Sequence, residues 1–155
     1  MNKLIVLILV IAGLVYFGYK NKPEEEKGKI IYGEARVSFN FPGREIEGVA
    51  VGQRYEGNDC DLNNSTNDFL KACIQDKVCV QTKFECKESV DQKYLHMLNK
   101  SDASTHYVHL TAKNEPLKGV VLFWGLTMDE SKAVCKKVVT DFNSDKRSKF
   151  IAKCI

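Results

Sequence analysis

A chain of 155 residues with 44% hydrophobic content is long enough for one domain with its own core and short for two. Its formal net charge is +3, but Lys3 and Lys20 are two of the 23 basic side chains and no acid precedes Glu24, so the rest of the chain sets 21 bases against 20 acids. That balance, with no interleaving of aromatic and basic residues, excludes a phosphate-driven nucleic-acid binder.

The chain begins with an apolar run, Leu4 to Tyr19, 16 residues without a charge between Lys3 and the pair Lys20 and Lys22. As a helix it spans roughly 24 Å, just enough for a ~30 Å hydrocarbon layer when the flanking lysines reach for the headgroups. A cleaved leader would end in a small-x-small pair. Val15, Tyr16, Phe17, Gly18 and Tyr19 offer none, so residues 1–20 are read as an uncleaved signal anchor, with Tyr16 and Tyr19 as interfacial aromatics. Residues 21–29 are charged, contain Pro23 and Gly28, and form a linker; residues 30–155 form the domain.

Within the domain, Glu34 to Phe41 alternates apolar and polar residues and predicts a half-buried strand. Pro42 and Gly43 supply a turn, and Ile46 to Tyr55 completes a hairpin. Glu56 to Asp68 is a polar loop, and Ser65 or Thr66 caps a short helix through Gln75. A third strand follows over Val78, Val80, Thr82, Phe84 and Cys86, then a helix over about Ser89–Leu98, a strand over Thr105–Ala112 and a turn over Glu115–Gly119. Gly119 to Leu126 is continuously apolar, the pattern of a central strand buried on both faces. Thr127 and Glu130 match a capping box, opening a helix that aligns Ser131, Val134, Cys135, Val138 and Phe142 on one face. After a polar break at Asn143–Lys146, Lys149–Ile155 closes the domain as a strand. Each half pairs a hairpin with a cysteine-bearing helix and strand, an arrangement duplication would produce, although the halves share little sequence. The run VVLFWGLTMDESKAV with FIAKC resembles half of a ferredoxin-like or peptidoglycan-binding SPOR-type unit, covers under a quarter of the chain and carries no diagnostic motif.

Six cysteines, Cys60, Cys73, Cys79, Cys86, Cys135 and Cys154, all follow the apolar segment. Zinc sites need close C-x2-C pairs, and none occurs. An even set behind an export signal reads as three disulfides, placing the domain outside the cytoplasm. The lysines downstream of the span point the other way under the positive-inside tendency, and the cysteines outweigh them. A helix followed by a neighbouring strand favours Cys135–Cys154; Cys60–Cys73 and Cys79–Cys86 complete the preferred set among 15 connectivities.

No motif for catalysis is present. His106 and His109 on one strand would point to opposite faces and could not share a metal ion. Asp59, Asp61 and Asn63 begin like a calcium loop, but the sixth position is Asn64 and the twelfth is Leu70, so glycine and the bidentate glutamate are missing. Trp124 is read as core. No cofactor is expected.

The fold class expected is α+β: a small disulfide-stapled domain with a mainly antiparallel sheet and two or three helices behind a transmembrane helix. The function expected is non-catalytic binding at the periplasmic side of a bacterial cytoplasmic membrane, crossed once by residues 4–19, as an inhibitor or immunity-type protein against another envelope protein. The alternative is an accessory subunit of an envelope assembly or secretion complex. Candidate partner surfaces are Asp59 and Asp61 in the polar loop, and the late basic residues Lys132, Lys136, Lys137 and Arg147.

Overall fold

The computed structural model describes residues 28–155 apart from 42, 57–78, 102, 145 and 147. The apolar run at 4–19, the polar loop with Asp59 and Asp61, the helix read at 65–75, Cys60, Cys73 and Arg147 lie outside the described residues. Among those described, no helix is long and apolar enough to cross a membrane.

The fold is α+β. β1 (Ile30–Phe41), β2 (Arg44–Tyr55), β3 (Gln81–Lys87), β4 (Val108–Ala112), β5 (Lys118–Trp124) and β6 (Phe150–Cys154) form one antiparallel sheet in the order β3-β1-β2-β5-β4-β6. Two helices, α1 (Gln92–Leu98) and α2 (Met128–Ser144), are present among the described residues. The strand order is symmetric about the β2–β5 seam, because in each half the first strand of a hairpin also pairs with a later strand. Cys86 lies opposite Gly33 on one edge, and Cys154 opposite Val108 on the other.

β1 and β2 pair along their whole lengths, from Ile30 with Tyr55 to Phe41 with Arg44. The strand therefore starts four residues before the alternation at Glu34, since pairing with β2 holds Ile30–Gly33, joined from Tyr32 on by pairing with β3, in place of a matching apolar pattern. Gly43 at φ +82° makes the tight reversal. β3 begins three residues later than its sequence pattern. The chain bends at Val80, so Val80 is exposed and Cys79 takes the buried place. β4 likewise starts at Val108, which leaves His106 before the strand.

β5 is the central apolar strand expected, flanked by β2 and β4. Its alternate side chains feed two cores. Val121 and Phe123 join Val134, Cys135, Val138 and Phe142 of α2, together with Ala35, Val37 and Phe39 of β1. Val120 and Leu122 join Tyr94, Met97 and Leu98 of α1 with Val49 and Val51. Gly125 ends the strand at φ +86°, where a Cβ would come within 2.5 Å of the Glu45 carbonyl oxygen. The capping box forms as read: the Thr127 N–H and hydroxyl donate to Glu130 Oε2 at 2.8 and 2.9 Å, and the Glu130 N–H donates to Thr127 Oγ1 at 3.4 Å.

Cys135 and Cys154 form the expected disulfide between α2 and β6. Cys79 and Cys86 are also disulfide-bonded, but the pairing of one with the other is corrected by the strand between them. The six residues between them are largely extended and set them about 20 Å apart, and a disulfide tolerates a Cα separation of only ~7 Å.

The β6 edge is closed by side chains. The Asn143 side chain donates to the Ala152 carbonyl at 2.9 Å and accepts from its N–H at 3.0 Å, as a neighbouring strand would. The Ser148 hydroxyl similarly serves both backbone groups of Phe150. An unpaired edge is a template for another chain, so Asn143→Ala is expected to cost about 1–2 kcal/mol for two lost hydrogen bonds and to increase self-association. Urea titration and light scattering at matched concentrations check both; unchanged scattering would show that Asn143 does not guard the edge.

Candidate functional site

The two sheet faces differ in what covers them. On the α2 side, β1 contributes Ala35, Val37 and Phe39, all buried. On the α1 side it contributes Tyr32, Glu34, Arg36 and Ser38, and α1 itself packs mainly over β5 and β2. A polar half-face is thus formed by β1, β3 and the near edge of β2.

Register determines how its charges meet. Glu34 lies opposite Glu85, and Arg36 opposite Lys83, so like charges face each other directly and opposite charges meet on the diagonals. Lys87 reaches Glu34 at 3.2 Å and Glu85 at 3.0 Å, while Lys83 reaches Glu85 at 2.6 Å. Arg36 ties three elements together. Its Nε donates to Glu34 Oε1 at 2.6 Å, one terminal nitrogen to Glu47 Oε1 at 2.9 Å, and the other to Tyr94 Oη of α1 at 3.1 Å.

Glu34 is only 6% exposed. Burial pushes its carboxyl up, but the hydrogen bonds and charges of Arg36 and Lys87 more than offset this and hold it below the ordinary carboxylate range. A carboxylate kept ionised in this way does not deliver a proton near neutral pH. Beside the network, Lys93 Nζ lies 4.9 Å from the Tyr94 ring centre and 5.3 Å from that of Trp124. Trp124 is half-buried at the rim of the second core. The half-face is therefore a pre-ordered patch of paired charges bordered by cation-covered aromatic rings.

The residues singled out from sequence are not brought together there. Lys132, Lys136 and Lys137 are exposed on the outer side of α2. Lys137 is held by Asp141 at 2.5 and 2.7 Å, which cancels one of the three positive charges. Asp59, Asp61 and Arg147 lie outside the described residues. What sequence reading missed was the Arg36 network. Its signal was present in the alternating polar positions of β1 and β3, but the joining of the two strands across β1 is not encoded in any local pattern.

His106 and His109 take structural places. His109 is buried, its Nε2–H donating to the Leu98 carbonyl at 3.0 Å, and its Nδ1 accepts from Thr111 Oγ1 at 3.4 Å. His106 donates from Nδ1 to the Ile155 carbonyl at 3.4 Å. Burial chiefly lowers the His109 pKa, with Lys100 and Lys118 adding to it. The folded state then binds this proton less readily than the unfolded chain, so stability falls as pH drops through the ordinary histidine range near ~6.5. His109→Gln is expected to flatten stability between pH 7.5 and 5.5, roughly the span of histidine titration. An unchanged slope in urea titrations would assign the effect elsewhere.

Among the described residues, no group of three or more His, Cys, Asp and Glu side chains is placed to hold a metal ion. No family model, curated protein or solved structure matches the chain.

Proposed function

We propose that the protein is a non-catalytic binding protein, tethered by residues 4–19 to a bacterial cytoplasmic membrane with its domain in the periplasm, and that it acts as an inhibitor or immunity-type protein on another envelope protein. The observation that carries this reading is the pre-ordered half-face around Arg36. Its charges are already positioned by one another, so little side-chain freedom remains to be lost when a partner arrives. Arg36 and Trp124, both half-buried, are of the residue types that dominate binding energy in protein interfaces, and the buried Tyr94 hydroxyl holds Arg36 in place. The acid and imidazole best placed to be catalytic are committed, Glu34 to two cations and His109 to a backbone carbonyl. The α2 lysines, Lys132 and Lys136, form a second, weaker candidate surface.

A photo-crosslinking side chain placed at Lys93 in the full chain, activated in intact cells, is expected to yield one discrete adduct with an envelope protein, lost in a Trp124→Ala background. The same group at Lys136 is expected to give little. Adducts from neither position would contradict the reading. Adducts only from within residues 4–19 would move the protein to the accessory-subunit class.

A further inference from the structure

Charge is distributed unevenly along the strand direction. At the end where Gly28 enters β1, register brings together the starts of β1, β5 and β6 and the ends of β2, β3 and β4: Ile30 pairs with Tyr55, Thr111 with Lys118, and Ala112 with Phe150. The Lys113 N–H donates to the Lys149 carbonyl there, and its Nζ to the Ser148 carbonyl at 2.9 Å. This end displays Lys29, Lys113, Lys118, Lys146 and Lys149 against Glu56, Glu88 and Glu115. Ile30 adds an apolar side chain that is 38% exposed. The opposite end is balanced, with Glu45, Asp91, Asp129 and Glu130 against Arg44, Lys93, Lys132 and Lys153.

We propose that the lysine-bearing end of the sheet docks on the anionic headgroups of the membrane that holds the chain. The inference rests on the tethering read from residues 4–19. Eight residues lie between Tyr19 and Gly28, a reach of at most about 32 Å, so the end that receives the linker stays near the headgroups. Glu24, Glu25 and Glu26 in that linker are matched by Lys20, Lys22 and Lys27, which leaves the field at the surface to the domain's own lysines. Lysines close to an anionic leaflet each add to the attraction, and the effect decays within a Debye length. Docking would set the sheet upright, with the charge-balanced end outward and the Arg36 half-face turned sideways to a partner.

The test uses the full chain inserted into vesicles of phosphatidylcholine alone or of phosphatidylcholine with phosphatidylglycerol. Backbone hydrogen exchange over residues 113–118 is expected to slow about tenfold in the anionic vesicles, consistent with roughly one to two lysines engaged. High salt should reverse the slowing, and residues 43–45 at the far end should not change. Lys113→Glu is expected to reduce the difference, but the comparison of lipids with the unaltered chain does not depend on that variant. Equal exchange in both vesicles, with the chain resisting carbonate extraction, overturns the docking and leaves the anchor standing. Extraction by carbonate from both overturns the anchor, and the docking with it.

Discussion

Arg36→Met is expected to destabilise the domain by about 2–3 kcal/mol at neutral pH. Removing one member of a buried ion pair typically costs ~3–5 kcal/mol, because the other charge is left without its partner. The smaller figure of about 2–3 applies because the Arg36 side chain is one-third exposed and Lys87 still reaches Glu34. Methionine preserves much of the stem packing, so the loss is mainly electrostatic. Three elements lose a common partner at once: Glu34 on β1, Glu47 on β2 and Tyr94 on α1. The pH dependence identifies the cause. Glu34 has its pKa lowered in the folded state, so its contribution is present above the ordinary carboxylate range and is lost as pH falls through the folded value. The gap between wild type and Arg36→Met should therefore narrow on acidification. A Glu34→Gln, Arg36→Met double variant, compared with both single variants in urea titrations, should recover part of the loss. Additive single effects, or a gap independent of pH, would mean that the network is not coupled.

The second large effect is expected from Cys135→Ala with Cys154→Ala. The bridge closes a loop with a sequence separation of 19, and chain-entropy arguments assign such a loop about 3 kcal/mol. For a chain of this size that corresponds to a melting temperature lower by roughly 6–12 °C. The bond joins the buried face of α2 to an edge strand whose other neighbour is only β4, so β6 should become the first element to open. Hydrogen exchange of Ile151–Cys154 should rise before that of β5. A loss below roughly 1 kcal/mol would show that packing of Val134, Val138 and Phe142 alone holds the helix in place. Peptide mapping without reduction is expected to recover Cys135 joined to Cys154, and Cys79 and Cys86 each joined to one of Cys60 and Cys73, the two remaining cysteines. A peptide linking Cys79 to Cys86 would contradict the strand between them.

The parts of the fold legible in the sequence were those encoded by short-range periodicity. The apolar run of β5, the capping box at Thr127 and the buried stripe Ser131, Val134, Cys135, Val138 and Phe142 each carry their own local signal, and each is present. Tyr94, Met97 and Leu98 likewise mark the buried side of α1, which starts at an Asp91 cap accepting from the Lys93 N–H. Strand limits were less legible, because Ile30–Gly33 are held by pairing with neighbouring strands and Val80 is turned out by a bend that no pattern announces. The Cys79–Cys86 pairing failed for a related reason. Proximity in sequence becomes distance in space once the intervening residues are extended. The Arg36 site was invisible for a third reason: β3 returns to pair with β1 only after a long excursion, so Lys87 and Glu34, 53 residues apart, have no local signature. Buried polar networks of this kind are properties of topology, and the residues that form them look like ordinary surface charges until the strand order is known.

The tether, the partner and the docking surface all follow from a domain that is oxidised and lies outside the cytoplasm. Trapping of thiols in intact cells, by acid quench followed by mass-tag alkylation before and after reduction, tests that placement directly. The expected result is that no tag adds to the full chain before reduction and that all six cysteines accept one afterwards. Six tags before reduction, from unperturbed cells, would place the domain in the reducing cytoplasm and would remove the basis for a periplasmic binding function.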